Sequence, residues 1–442
     1  MLETVAKVER PEVGADASLP PTLYLSRTGM LEPLGQSQVL AYLRGLSSDH
    51  AVTLISFERD ADLANRAHLA QIEAICSAHG IRWVRLRYRS RPRLLASAWN
   101  LGALFWHSWR EARRRKVRLI HARSYIPAAA AWAVSRLTGI PYVFDMRSLW
   151  PEELITSHRL RRGSWLHGVI FRAERRLLAD AGIVVSLTRA GARYLCDVHP
   201  GALTDERLRV IPTCADLDRF RPAPDTREGG PLIGCHGSLT SGWFRVDLLA
   251  TMFDLIAERL PSARFEIITR EDPAEVLRAL DTSRDRAASS GAGDVTPGRA
   301  PNWRSGLSIS AAKASNIHER LQRQDLSMLF YASGAASELG RSPTRMGEVL
   351  GCGVPVVTND GIGDVTEIVR GGGVGIVIDS EDPPALVQAA DEAVALLQDP
   401  KVVRRCRQVA EENYSLEAGI DGYREIYRRL SSADDQSGRV PN

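Results

Sequence analysis

Residues 342–359, SPTRMGEVLGCGVPVVTN, hold the parts of an anion-binding helix start. Ser342 is a good N-cap and Pro343 a good first helical residue, so a helix beginning there presents free backbone N–H groups at its end. Such an end attracts phosphate through those groups and the helix dipole, and Arg345 in the first turn adds a full positive charge. A diphosphate leaving group would be stabilised there. Glu348, one turn beyond Thr344, can face the same cleft and accept hydrogen bonds from sugar or ribose hydroxyls. The same pattern equally fits a capped surface helix with an ordinary Arg/Glu pair.

Two further stretches could do chemistry. GMLEPLGQSQ, residues 29–38, follows an apolar run and carries Gly29, Gly35 and Gln36, whose small or polar side chains let backbone approach a ligand closely. It is neither a GxGxxG fingerprint nor a GxxxxGK[ST] phosphate loop, so a tight turn explains it as well. HARS at 121–124 and FDMRSLWPEE at 144–153 place His121, Arg123, Asp145 and Arg147 at the carboxyl ends of two strands. As a set they favour a site, although a satisfied buried histidine is the commoner fate of a residue like His121.

These residues need a frame that brings strand ends together. Apolar runs at 23–26, 51–57, 81–86, 117–123, 141–147, 182–188 and 207–213 alternate with helical patterns, which predicts a doubly wound parallel sheet. The alternation restarts at 231–238, 263–269, 326–332, 354–359 and 374–380, a second domain of the same kind. The reading divides the chain into a disordered tail at 1–20, an N-terminal Rossmann-like domain at 21–220, and a linker at 221–230. A C-terminal Rossmann-like domain follows at 231–405, with a mobile insertion at 282–306. C-terminal helices at 406–430 return to the N-terminal domain, and 431–442 form a second disordered tail. In such sheets ligands sit beyond the carboxyl ends of strands, so an inter-domain cleft is the expected site.

With 442 residues, 44% hydrophobic and 25% charged, the composition is that of a two- or three-domain globular protein rather than a disordered or fibrous one. Its six cysteines show no metal-ligand spacing and no secretory signal precedes them, which points to a reducing compartment and no structural zinc. No stretch reaches the roughly 20 apolar residues that span a bilayer. Net charge is only +4, yet residues 82–118 hold twelve Arg or Lys against the single acid Glu111. They enclose the aromatic-rich LLASAWNLGALFWHSW at 94–109, a combination that fits either an interfacial helix on anionic membrane or a core helix with a basic face. No nucleic-acid module accompanies the cluster.

Taken in order, these segments resemble glycosyltransferase family 4. GMLEPLGQSQVLAYL (29–43), IHARSY (120–125), FDMRSLW (144–150), VIPTCADLDRF (210–220), HGSLTSGW (236–243), IITRED (267–272) and SPTRMGEVLGCGVPVV (342–357) carry the likeness. It implies a GT-B fold: two Rossmann-like, doubly wound parallel-sheet α/β domains with a cleft between them. It also implies retention of anomeric configuration, a nucleotide-diphosphate sugar as donor, and neither a cofactor nor a metal. The donor side would be Gly29, Gly35, Gln36, Ser238, Arg270, Ser342, Pro343, Thr344, Arg345, Glu348, Gly361, Gly363 and Glu367. Asp145, Arg147, Arg345 and Glu348 would serve catalysis, with His121 and Arg123 on the acceptor side.

The chain departs from the family pattern at the first acid of its Glu-x7-Glu motif, where Gly340 stands, and at the basic pair many members carry after the first strand of the second domain. The expected activity is transfer of a sugar to a hydroxyl acceptor, a saccharide or a lipid-linked one, in cell-surface polysaccharide or glycolipid synthesis. The setting would be cytoplasmic, peripheral on the inner face of the membrane. A sugar-nucleotide epimerase or hydrolase of the same fold, or a donor-binding inactive partner subunit, are the alternatives.

Overall fold

A computed structural model describes residues 19–223, 229–289 and 302–436. Residues 1–18 of the first expected tail, 224–228 of the linker, 290–301 of the insertion and 437–442 of the second tail lie outside the described residues.

In the N-terminal part, β1 (Pro21–Ser26) leads through a loop and a π-helical segment (Gln36–Leu40) into α1 (Ala41–Leu46), then β2 (Ala51–Glu58), α2 (Arg66–Ala78), β3 (Arg82–Arg87), α3 (Arg93–Arg114) and β4 (Leu119–Arg123). There follow α4 (Tyr125–Thr138), β5 (Tyr142–Asp145), α5 (Trp150–Thr156), α6 (Trp165–Asp180), β6 (Ile183–Ser186), α7 (Arg189–Val198) and β7 (Leu208–Val210). All strand pairs are parallel, in the order β3-β2-β1-β4-β5-β6-β7. Apolar side chains cover both faces, as a parallel sheet requires. Ile120, Phe144 and Val184 pack under α3, α4 and α6, while Val143, Ile183 and Val185 pack on the face of α1.

The second sheet comprises β8 (Leu232–His236), β9 (Arg264–Ile268), β10 (Leu307–Ser310), β11 (Leu326–Leu329), β12 (Val356–Asn359) and β13 (Gly375–Ile378), ordered β10-β9-β8-β11-β12-β13. Its longer helices are α8 (Val246–Arg259), α9 (Pro273–Ser289), α10 (Thr344–Gly351), α11 (Val365–Gly372), α12 (Pro383–Leu396) and α13 (Val402–Tyr414). The helix expected near 273–281 continues to Ser289, because Arg and Ala sustain a helix after the apolar period fades. The edge strand β10, a four-residue LSIS with no flanking apolar run, has no counterpart among the expected strands. All six cysteines are free thiols.

The last helix, α14 (Leu416–Gln436), leaves the second domain and packs on α1 and β4 of the first. It runs six residues past the expected end at 430. The domains meet through directed hydrogen bonds. Asp364 accepts from the backbone N–H groups of Arg189 (2.7 Å) and Ala190 (2.9 Å), capping α7 from the opposite domain. Thr188 Oγ1 donates to the Leu339 carbonyl at 2.5 Å, and the Thr156 and Ser337 hydroxyls lie 3.1 Å apart.

Candidate active site

In both sheets the strand order reverses beside the first strand, at β1/β4 and at β8/β11, and the crevice beyond the carboxyl ends of those strands is where open α/β sheets bind ligands. The first switch point presents the loop 27–35 and Ser124, a non-glycine held at φ 78° just after β4. The second presents His236 at the end of β8 with Gly237 beyond it, and Phe330 and Tyr331 after β11.

At the second switch point Arg345 lies against Gly237. A Cβ built on Gly237 would fall under 3.0 Å from the Arg345 guanidinium, and the backbone there has φ 110°, so only glycine fits. No carboxylate approaches that guanidinium within 4.0 Å among the described residues. Glu348, one turn along α10, is instead 3.4 Å from His236 Nε2. Burial holds the His236 ring below its usual protonation range, although Glu348 pulls the other way. The neutral ring therefore donates from Nε2 to Glu348 and leaves Nδ1 as a buried acceptor without a partner. The Tyr331 hydroxyl is likewise buried and unpartnered, and burial pushes it far above the usual phenol range. Buried polar atoms left open in this way mark a place built for something else to bond.

Several expected donor residues are occupied otherwise. Ser342 is not the N-cap of α10: Pro343 takes that place, the helix begins at Thr344, and the Ser342 hydroxyl accepts from the Thr213 backbone N–H at 3.1 Å across the domain boundary. Ser238 donates to the Glu271 carboxylate at 2.5 Å. The same carboxylate takes the Leu239 N–H (2.8 Å), the Thr240 N–H (3.1 Å) and the Thr240 hydroxyl (2.7 Å). Burial would raise the Glu271 pKa, but these donors together hold it down to about 2. The loop after β8 thus surrounds an internal anion where an external one was expected. Arg270, beside it, is exposed.

Gly363 is pressed on the Arg341 carbonyl and on Thr188 rather than lining a donor loop, while Gly361, at φ 90°, approaches Ser333. Glu367 is exposed in the first turn of α11. In the N-terminal loop, a Cβ on Gly35 would strike the Gly29 carbonyl and one on Gly29 would strike Glu58, so the two glycines serve the fold of the loop itself. Glu58, buried at the end of β2, accepts from the Met30 N–H at 2.8 Å and the Leu31 N–H at 3.2 Å and fixes that loop. Gln36 is joined to His68 at 3.1 Å.

His121, Arg123, Asp145 and Arg147 do converge, but beneath α14 and not in open space. Asp145 is 1% exposed, with His121 Nε2 3.3 Å from one oxygen and an Arg147 nitrogen 3.3 Å from the other. The Tyr427 hydroxyl donates to His121 Nδ1 at 2.7 Å, and Tyr24 stacks on the ring at 4.3 Å. Burial lowers the His121 pKa, so the ring is neutral and fully satisfied. Burial works against ionisation of Asp145 too, but Arg147, His121 and Arg123 outweigh it and keep the carboxylate charged. His121 is thus held on both ring nitrogens by the fold, and each Asp145 oxygen already has a partner within it. Sequence reasoning missed the partners, Tyr423 and Tyr427, which stand four apart on α14 and close over the strand ends.

Gly340 is also explained. A Cβ there would meet Leu149 of the N-terminal domain at 2.8 Å, so an acid at this position is sterically barred with the domains so placed. Two residues earlier, Glu338 is buried and paired with Arg341 at 2.6 Å. The Arg341 guanidinium stacks over the half-exposed Trp243 ring at 4.4 Å. Among the described residues no group of three or more His, Cys, Asp or Glu could hold a metal ion.

Comparison with known proteins bears on this arrangement. Residues 35–219 match the family described as Glycosyltransferase Family 4, which bears out the resemblance read from the sequence. A glycosyltransferase from Rickettsia africae ESF-5 superposes with a TM-score of 0.67 at 12% identity, over 94% of this chain and 99% of that one. Sucrose-phosphate synthase from Thermosynechococcus elongatus gives 0.65 at 14% identity, over 94% and 100%. Anabaena HepE in complex with UDP-glucose gives 0.61 at 15%, over 93% and 99%. At such identities the likeness shows the fold, and that fold is GT-B. No curated protein sequence matches the chain.

Proposed function

We propose that this chain is a retaining glycosyltransferase that moves a sugar from a nucleotide-diphosphate donor to a hydroxyl acceptor, in cell-surface polysaccharide or glycolipid synthesis on the cytoplasmic side of a membrane. The observation that carries the reading is Arg345, which has no carboxylate partner among the described residues and is wedged on Gly237 at the switch point of the C-terminal sheet. A diphosphate supplies the missing counter-charge, and the α10 N-terminus adds to it. His236 Nδ1 and the Tyr331 hydroxyl are the open acceptor and donor for hydroxyls of the bound donor. That one solved neighbour holds UDP-glucose supports a nucleotide sugar as the class to test.

In the proposed reaction the anomeric C–O bond to the diphosphate breaks first. The acceptor hydroxyl then attacks the same face, passing its proton to the departing diphosphate. The protein's part is to align the reactants and to stabilise negative charge on the leaving group, the second being the role of Arg345 and the helix end. Asp145 and Arg147 are assigned no catalytic step, because they pair with each other beneath α14.

Thermal stabilisation across UDP, GDP, ADP, CMP and their sugars tests the donor site, since a ligand at 100 times its Kd adds about 2.7 kcal/mol. One base should raise the melting temperature, and Arg345→Ala should abolish the rise. No rise with any of them at millimolar concentration would overturn the donor reading. Donor turned over without any acceptor would replace transfer by epimerisation or hydrolysis.

A further inference from the structure

Two helices on one face of the N-terminal sheet turn apolar side chains outward. On α3, positions 96, 100, 104, 108 and 112 form the buried stripe. The opposite stripe is not the solvated polar face that such a helix normally shows. It carries Leu95 (71% exposed), Trp99 (57%) and Trp106 (55%), with Gly102 between them and open space around it. On α6 the first turn and a half repeats the feature, with Trp165 80% exposed beside Leu166 and Val169.

The topology puts these features at the same edge. Helices in a parallel sheet run against their strands, so the N-terminal turns of α3 and α6 both lie at the carboxyl edge of the sheet, where the cleft opens. Both helices contribute to one core cluster, α3 through Leu104 and Ala112 and α6 through Leu177 and Leu178, and α4 lies in contact with each.

Charge identifies what would cover them. Each apolar turn is preceded by exposed arginines, Arg89 and Arg91 before α3, Arg159 and Arg161 before α6. None of the four has a carboxylate within 4.0 Å among the described residues. The Arg89 guanidinium sits over the Trp99 ring at 4.3 Å. The one acid of α3, Glu111, is buried and held by Arg82 and Arg115. Aromatic rings with a wet edge and unneutralised arginines match a bilayer interface carrying anionic headgroups. No helix of the described residues is long and apolar enough to cross a membrane.

We propose that the N-terminal turns of α3 and α6 together dock this domain on an anionic bilayer, with the mouth of the cleft at the lipid surface. This deepens the membrane-side setting proposed above and does not rest on the donor assignment.

The test is co-sedimentation of the full chain with phosphatidylcholine vesicles and with mixed phosphatidylcholine/phosphatidylglycerol vesicles, at low and high salt. Binding should require phosphatidylglycerol and be released by salt. Trp99→Ala and Trp165→Ala should each weaken it by about tenfold or more at unchanged melting temperature. Arg89→Gln with Arg161→Gln should weaken it similarly, at about fivefold for each lost charge. Failure of the wild type to bind at low salt overturns the proposal, as does a Trp165 variant that binds like wild type, since α6 would then take no part. A dimer in sedimentation velocity that Trp99→Ala dissociates would assign the face to a second copy instead. The nucleotide-induced melting shift, measured on the same variants, should persist, so failure of docking and failure of the donor site are read separately.

Discussion

The Arg345 guanidinium occupies the space in which a side chain at Gly237 would stand. The glycine is therefore a second requirement for the charge on α10, although it touches no ligand itself. Gly237→Ala must push the guanidinium aside and also adopt a φ of 110° that alanine rarely takes. Turnover should fall by about 100-fold or more, as on loss of a preorganised charge clamp, matching Arg345→Ala. The double variant should be no worse than either single one. Steady-state kinetics on the three proteins decides it, and additive losses would show that the two residues act separately.

Restoring the family's missing acid should not help. Gly340→Glu drives a side chain into Leu149, so the variant has to part the domains at the contacts made by Thr188 and Asp364. Overpacking of this kind costs about 1–3 kcal/mol. The expected outcome is a lower melting temperature and lower turnover, with a larger radius of gyration in small-angle scattering. A gain in turnover would show that the position faces substrate and that the domains move apart in the working enzyme.

The sequence pattern located twelve of the thirteen strands among the described residues, because buried parallel strands are continuous apolar runs. The short edge strand at Leu307–Ser310 has no such run and was lost. The place of Arg345 and Glu348 in the first turns of a helix was legible because helix-start chemistry is local. The fate of Asp145 and His121 was not, since it depends on Tyr423 and Tyr427, which arrive from some three hundred positions later in the chain. A charged residue at a strand end reads the same whether solvent or a returning helix covers it. Glu271 was hidden for a related reason: the donors that surround it lie on a neighbouring strand's loop.

Glu271 gives a pH-dependent prediction. Its carboxyl is held at about 2 against an ordinary value of 4.5, so the folded state favours the charged form. The resulting stability is fully present above about pH 4.5 and is lost as the pH falls toward about 2. Glu271→Gln should lower the melting temperature at pH 7, and the gap from wild type should shrink across that acid range. A gap that stays constant with pH would mean that the carboxylate's charge contributes nothing to holding the loop after β8.

The network beneath α14 predicts a stability defect that a catalytic role would not produce. Asp145→Asn leaves Arg147 and Arg123 buried with no counter-charge, and breaking a buried pair from one side costs about 3–5 kcal/mol. Tyr427→Phe removes the donor to His121 Nδ1 and leaves a buried acceptor unsatisfied, a cost of about 1–3 kcal/mol. Both should shift the urea midpoint accordingly, and both should leave nucleotide affinity unchanged at temperatures where the fold is intact. Because His121 is already neutral in the fold, its protonation opposes folding, and the penalty grows as the pH falls below about 6.5. Calorimetric titration of nucleotide into the Asp145→Asn protein separates the two roles. A wild-type Kd with a lowered urea midpoint places Asp145 in the architecture, whereas a normal midpoint with turnover lost would return it to the chemistry.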